Sequence, residues 1–237
     1  MLSASAQKLV RKLQQRKHRW QEQKFLAEGP KVVQDFIDEG LKPLFLWASE
    51  DFPGAELVDE RELAKLSSFS TFNQVMGIFD FPHLSTAKDD RILVLDQIND
   101  PGNLGTLIRT ADWFGFDQII CTKGTADVYN PKTVQSTMGS LARLAIHYSS
   151  QEEIWDNYNE SHQLLRADMK GSPLEQIEFS SQKLILVMGS ESHGPSDFWQ
   201  DKTEAITIAK GSSSAIDSLN VAVAGGILMQ ALSPAAL

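Results

Sequence analysis

From residue 91 onward, short apolar runs alternate with stretches of helical character, and this alternation constrains the fold more than any other feature. The runs RILVLDQI, FDQIICT, ARLAIHYS, QLLRADM, KLILVMG and EAITIA show no clean polar alternation. Strands of that kind are covered on both faces, and intervening helices make their sheet parallel. Helices are expected to begin near Asn103, Pro131, Gln151 and Asp197, with a last one running from Asn220 into VAVAGGILMQAL. An α/β domain built on a parallel sheet is therefore expected over residues 91–237.

Residues 1–82 read as a smaller α/β unit. The segment SASAQKLVRKLQQRKHRWQEQKF places Leu9, Leu13 and Trp20 near helical spacing among charges, as in an amphipathic helix. FLAEG, PLFLWAS and NQVMGIFDF read as strands, and DERELAKLSS as a helix. Pro30 opens the helix KVVQDFIDEG and Gly40 closes it. The polar stretch PHLSTAKDD, headed by Pro82, reads as the linker to the second unit.

Composition removes several classes of protein. The longest apolar stretches, LILVM and VAVAGGILM, are too short to span a bilayer. Lys8, Arg11 and Lys12 interrupt what would be the core of a signal peptide, so a cytoplasmic location is expected. The single cysteine, Cys121, excludes an intrachain disulfide framework and a cysteine-rich zinc cluster, and its apolar neighbours suit a buried small hydrophobe. Net charge is −9, yet residues 1–31 carry eight Lys/Arg against Glu22 and Glu28, a balance of +6 that leaves −15 on the rest. A basic arm on an acidic body fits a protein that meets phosphates at one end, although a solvated helix face explains the same charges.

In open parallel sheets, ligands bind beyond the carboxyl ends of the strands. Three such ends carry unusual chemistry here: NDPGNLGTLIR after RILVLDQI, MGSESHGP after KLILV, and IAKGSSSAIDSLN after EAIT. Each has a structural explanation of its own. Asn103 and Asn220 could cap helices, Gly102 and Gly105 could permit a tight turn, and Arg109 could pair with Asp112. Three polar loops at strand ends are nevertheless more than a scaffold needs. No G-x-G-x-x-G follows a strand, and there is no Walker A sequence. Ser190 stands where a nucleophile elbow around Ser192 would need glycine, and His193 reads as a loop residue. The five histidines include no close pair at metal-ligand spacing, so no metal is expected.

Taken in order, the three loops resemble the motifs of the SpoU (TrmH-like) RNA 2′-O-ribose methyltransferases of the SPOUT superfamily. N-x-G-x-x-x-R is met by Asn103, Gly105 and Arg109; G-x-E-x-x-G by Gly189, Glu191 and Gly194; and the closing S-L-N by Ser218, Leu219 and Asn220. The family usually has Ile-Pro where this chain has Ile208-Ala209, and the loop KGSSSAID is longer by about two residues, which bears on cofactor affinity rather than on a reactive group. Residues 1–80 are similar to the L7Ae/L30e-like substrate-binding domain found in many members that act on ribosomal RNA. The resemblance implies a deep trefoil knot, S-adenosylmethionine held by backbone around Gly189, Ile208 and Leu219, and a homodimer with its active site near the interface. Ribosomal RNA is the implied substrate and transfer RNA the second; a protein of this fold that binds RNA without turnover is the rival.

The implied reaction moves a methyl group from sulfur to a ribose 2′-hydroxyl, a poor nucleophile for which in-line placement supplies much of the acceleration. Asn103 suits positioning because an amide both donates and accepts. The family assigns activation of the hydroxyl to Arg109, but a guanidinium stays protonated. Arg109 could instead stabilise a developing alkoxide, or hold a substrate phosphate that takes the proton. Glu191 is expected to order its loop or pair with Arg109, with direct proton transfer as the alternative. Ser218 and Asn220 can cap the last helix and still face the site. Ala222, Ala224, Gly225 and Gly226 would allow close helix approach across a dimer or within one subunit.

Overall fold

The computed structural model describes residues 2–84, 88–178, 182–211 and 215–233. Parts of the expected linker (85–87) and of the third polar loop (212–214) lie outside the described residues. By backbone proximity the chain divides into two units, Met1–Leu84 with Asp127–Arg143, and Ser85–Ala126 with Leu144–Leu237.

The first unit begins with helices α1 (Ala4–Leu13) and α2 (Arg16–Glu22), followed by β1 (Lys24–Glu28), α3 (Pro30–Asp38), β2 (Phe45–Ala48), β3 (Glu56–Leu57), α4 (Glu60–Ala64) and β4 (Val75–Asp80). Its sheet has the order β1-β4-β2-β3, with β4 antiparallel to both neighbours and β3 parallel to β2. The basic arm is two helices, not one. The chain breaks at Gln15, which is extended, and Arg19 Nη1 folds back to donate to the Leu13 carbonyl at 2.8 Å. Ala6, Val10 and Leu13 of α1 join Leu26, Trp47 and Ile78 in one core, so the apolar stripe of the arm is structural.

Asp127–Arg143 lies inside the span 91–237 read as the second domain, yet it packs with the first unit. A buried ion pair ties it there. Arg19 Nε and Nη2 donate to Asp127 Oδ2 at 2.8 and 2.5 Å, while Trp20 Nε1 and the Tyr129 amide donate to Oδ1 at 3.0 and 3.2 Å. Tyr129 stacks on Phe81 at 3.6 Å between centroids and lies against Phe25. Burial, and then the Asp127 charge, push the Tyr129 phenol pKa up. Arg19 therefore adds nothing to the basic surface expected of the arm.

In the second unit β5 (Arg91–Asp96), α5 (Pro101–Trp113) and β6 (Gln118–Cys121) precede the excursion of the chain into the first unit, where α6 (Pro131–Thr137) forms. On return come β7 (Ala145–Tyr148), α7 (Gln151–Tyr158), β8 (Gln163–Pro173), β9 (Leu184–Gly189), β10 (Glu204–Thr207) and α8 (Val221–Ala231). The sheet order is β10-β8-β9-β5-β6-β7, and every pair is parallel, as the unalternated apolar runs predict. The helix expected from Asp197 is a single 3-10 turn, Asp197–Trp199, and β10 follows from Glu204. α8 packs against α5, and a Cβ at Gly225 would collide with Leu107. Gly225 and Ala222 thus serve packing within the chain, while Val223 and Ile227 stay exposed.

Breaking the Arg19–Asp127 pair should cost the first unit more than breaking an exposed ion pair. Removing one partner of a buried pair costs about 3–5 kcal/mol, whereas exposed pairs such as Lys12–Glu22 contribute roughly 0–1 kcal/mol. Asp127→Ala is expected to lose at least about 3 kcal/mol in urea unfolding, and Glu22→Gln less than about 1 kcal/mol. Equal effects of the two substitutions would contradict this assignment.

Candidate active site

β5 ends in Asp96, whose carboxylate is fully buried. Thr122 Oγ1 and Gln151 Nε2 donate to Oδ1 at 2.7 and 2.9 Å, and the Ser196 amide donates to Oδ2 at 2.8 Å. An unpaired buried charge would cost several kcal/mol, while hydrogen bonds to a charged group contribute about 1.5–3 kcal/mol each. Asp96 therefore pins the residue after β6, the first residue of α7 and the loop after β9 to one point. Motif spacing does not reveal it; the available signal is a carboxylate closing the otherwise apolar run RILVLD.

The loop after β9 folds back on its own strand end. Gly194 has φ +68, its amide donates to Ser190 O at 2.8 Å, and the two residues form an isolated antiparallel bridge. A Cβ at Gly189 would overlap the backbone of Gly194 and Pro195, so only glycine fits there. Ser192 and His193 hydrogen-bond to each other at 2.7 Å, in a local contact of the loop.

Three amide and carboxylate side chains then link the three loops. Asp100, not Asn103, caps α5: its Oδ1 accepts from the Asn103 amide at 2.8 Å, with Pro101 at the first helical position. That leaves the Asn103 side chain free. Asn220 caps α8, its Oδ1 accepting from the Ala222 and Val223 amides at 2.9 and 3.3 Å. With Oδ1 committed to those donors, Asn220 Nδ2 points outward and donates to Asn103 Oδ1 at 3.1 Å. Asn103 must then present Nδ2 on its other side, where it donates to Glu191 Oε1. A helix cap thus fixes the orientation of both amides in turn.

Glu191 is engaged with Asn103 rather than with Arg109. Arg109 is exposed on α5, and among the described residues no carboxylate pairs with it, Asp112 included. Six residues of helix separate it from Asn103, about 9 Å along the axis and two-thirds of a turn around it. Within one chain, therefore, the relay gathers Asn103, Glu191 and Asn220, and Arg109 stands apart. Ser218 and Leu219 are exposed just before α8, while Ile208 is half-buried and the exposed Ala209 follows it, just beyond β10. Among the described residues the amides of Ile208, Ser218 and Leu219 donate to no backbone carbonyl outside regular structure. A cleft of about 210 Å³ opens between the first two loops, lined by Ile98, Asn99, Ser190, Glu191, Ser192 and Val221.

Comparison with known proteins bears directly on this arrangement. The model described as the SpoU rRNA Methylase family matches residues 90–230, and one described as an MRM3-like substrate binding domain matches residues 6–76. The 23S rRNA (guanosine(2553)-2′-O)-methyltransferase RlmP of Bacillus subtilis is 29% identical over 96% of this chain and 96% of its own. A TrmH-family protein from Porphyromonas gingivalis has a solved structure that superposes with a TM-score of 0.85 at 32% identity, covering 98% of both chains. The AdoMet-bound rRNA methyltransferase of Sinorhizobium meliloti superposes with a TM-score of 0.82 at 28% identity, over 98% of this chain and 95% of that one. The chain belongs to the SpoU rRNA Methylase family.

Proposed function

We propose that this protein is an S-adenosylmethionine-dependent methyltransferase that acts on a ribose 2′-hydroxyl of ribosomal RNA. The observation that carries the reading is the relay from Asn220 through Asn103 to Glu191, which joins all three family motifs at the carboxyl edge of the sheet. Ribosomal RNA is favoured because the Bacillus subtilis relative, whose name specifies 23S rRNA, matches across both units. The amino-terminal unit, which resembles a substrate-binding domain, selects the RNA.

The residues present fit the cofactor. Gly189 lets the loop after β9 fold close over the strand end, and the amides of Ile208 and Leu219, which among the described residues donate to no backbone carbonyl outside regular structure, are donors that a polar ligand can satisfy. When bound, S-adenosylmethionine supplies a methyl group carried on a positively charged sulfur. Asn103 keeps one amide hydrogen and one carbonyl lone pair beyond the relay, enough to orient a ribose hydroxyl. Glu191 and Asn220 hold that amide in place, and Ser218 lies two residues before the cap. Arg109 acts as a fixed cation that holds a substrate phosphate or the developing alkoxide; the hydroxyl proton leaves to the phosphate or to water.

Because Arg109 is displaced from the relay within one chain, the proposal includes a homodimer that completes the site. Exposed Val223 and Ile227 on α8 and Trp113 at the end of α5 supply apolar surface for it. Arg109→Ala is expected to lower kcat roughly 10²–10³-fold while the fold and S-adenosylmethionine affinity persist. Turnover comparable to wild type would remove Arg109 from the mechanism. Sedimentation at micromolar protein is expected to show a species of twice 26.3 kDa, and a lone 26.3 kDa species would refute the dimer.

A further inference from the structure

We propose that the groove across α1 and α2 is a binding track for the RNA backbone, an inference that rests on the RNA-directed function above and assigns recognition to particular side chains. α1 buries Ala6, Val10 and Leu13, and its opposite face turns Lys8, Arg11 and Lys12 outward. With Gln7, Gln15 and His18 these cations line a concavity of about 380 Å³. In a chain of net charge −9, no carboxylate lines it.

Three other cations of the arm are already engaged. Arg19 is neutralised by Asp127, Lys24 by Asp80 at 2.9 Å, and Lys31 by Asp35 at 3.5 Å. Lys12 shares its charge loosely with Glu22 at 3.5 Å, and both side chains are more than a third exposed. Among the described residues, no carboxylate pairs with Lys8 or Arg11. The nearby Glu62 is occupied by the Leu2 amide at 2.9 Å and Gln7 Nε2 at 3.2 Å.

The ligand chemistry follows from what the groove lacks as well as what it holds. Protein–protein interfaces centre on aromatic or aliphatic anchors, and here there is none. Lysine, arginine and glutamine side chains side by side are the usual partners of phosphate and sugar oxygens. Such contacts fix the position of a strand without reading its sequence.

The test uses the full chain and a single-stranded oligonucleotide of ribosomal RNA sequence. Lys8→Gln with Arg11→Gln is compared with a control pair of exposed lysines elsewhere on the same unit, Lys42→Gln with Lys65→Gln. Loss of two phosphate contacts is expected to flatten the log affinity against log salt slope by about 1.4 and to weaken binding about 25-fold at 0.1 M salt. KM for RNA should rise with kcat unchanged, and the control pair should match wild type. Equal effects of the two pairs, or none from either, would overturn the proposal. So would loss of polyglutamate binding with RNA binding retained, which would assign the groove to an acidic protein. Groove-dependent RNA binding by a wild type that transfers no methyl would uphold the track and defeat the catalytic reading. Methyl transfer with an unchanged salt slope would do the reverse.

Discussion

The catalytic unit depends on one buried carboxylate. Asp96 sits at the carboxyl end of β5, between β9 and β6 in the sheet, and has no access to water. A charge in that position persists only where donors surround it, and its donors come from three separate stretches of chain. The Gly189–Ser196 loop is tethered at its far end by this carboxylate and at its near end by the close approach of Gly189 to Gly194 and Pro195. Glu191 is held between those two anchors. Anchored at both ends, the loop is ordered in advance of any ligand.

Pre-organisation extends to Asn103. Its orientation follows from a helix cap two partners away: Asn220 must offer its carbonyl to the amides of α8, which dictates what Asn103 presents to Glu191. Capping and site geometry are the same set of hydrogen bonds. The arrangement leaves Arg109 outside the relay. The homodimer proposed above would account for that separation.

Much of this is legible in the residues. Unalternated apolar runs specify the parallel sheet, because only strands covered on both faces can be apolar at consecutive positions. Asn103, Glu191 and Asn220 stand out as polar residues at strand ends, and the structure brings them together. What spacing could not supply is pairing over distance. Asp100 rather than Asn103 caps α5, a choice made by backbone geometry. Arg19 looks like one more cation of a basic arm, but a carboxylate 108 residues away buries and neutralises it. Asp127–Arg143 groups with the first unit, where a contiguous division of the chain would not put it. The two-residue β3 is too short to leave a periodic trace.

The central claim is that the chain methylates the ribose, not the base, of ribosomal RNA. It is tested most directly by incubating the protein with isotopically labelled S-adenosylmethionine and unmodified ribosomal RNA transcribed in vitro, then digesting the RNA to nucleosides. The account predicts label in a single 2′-O-methylnucleoside, resistant to alkaline cleavage on its 3′ side. Label on a base, or no transfer above a protein-free control, would contradict it.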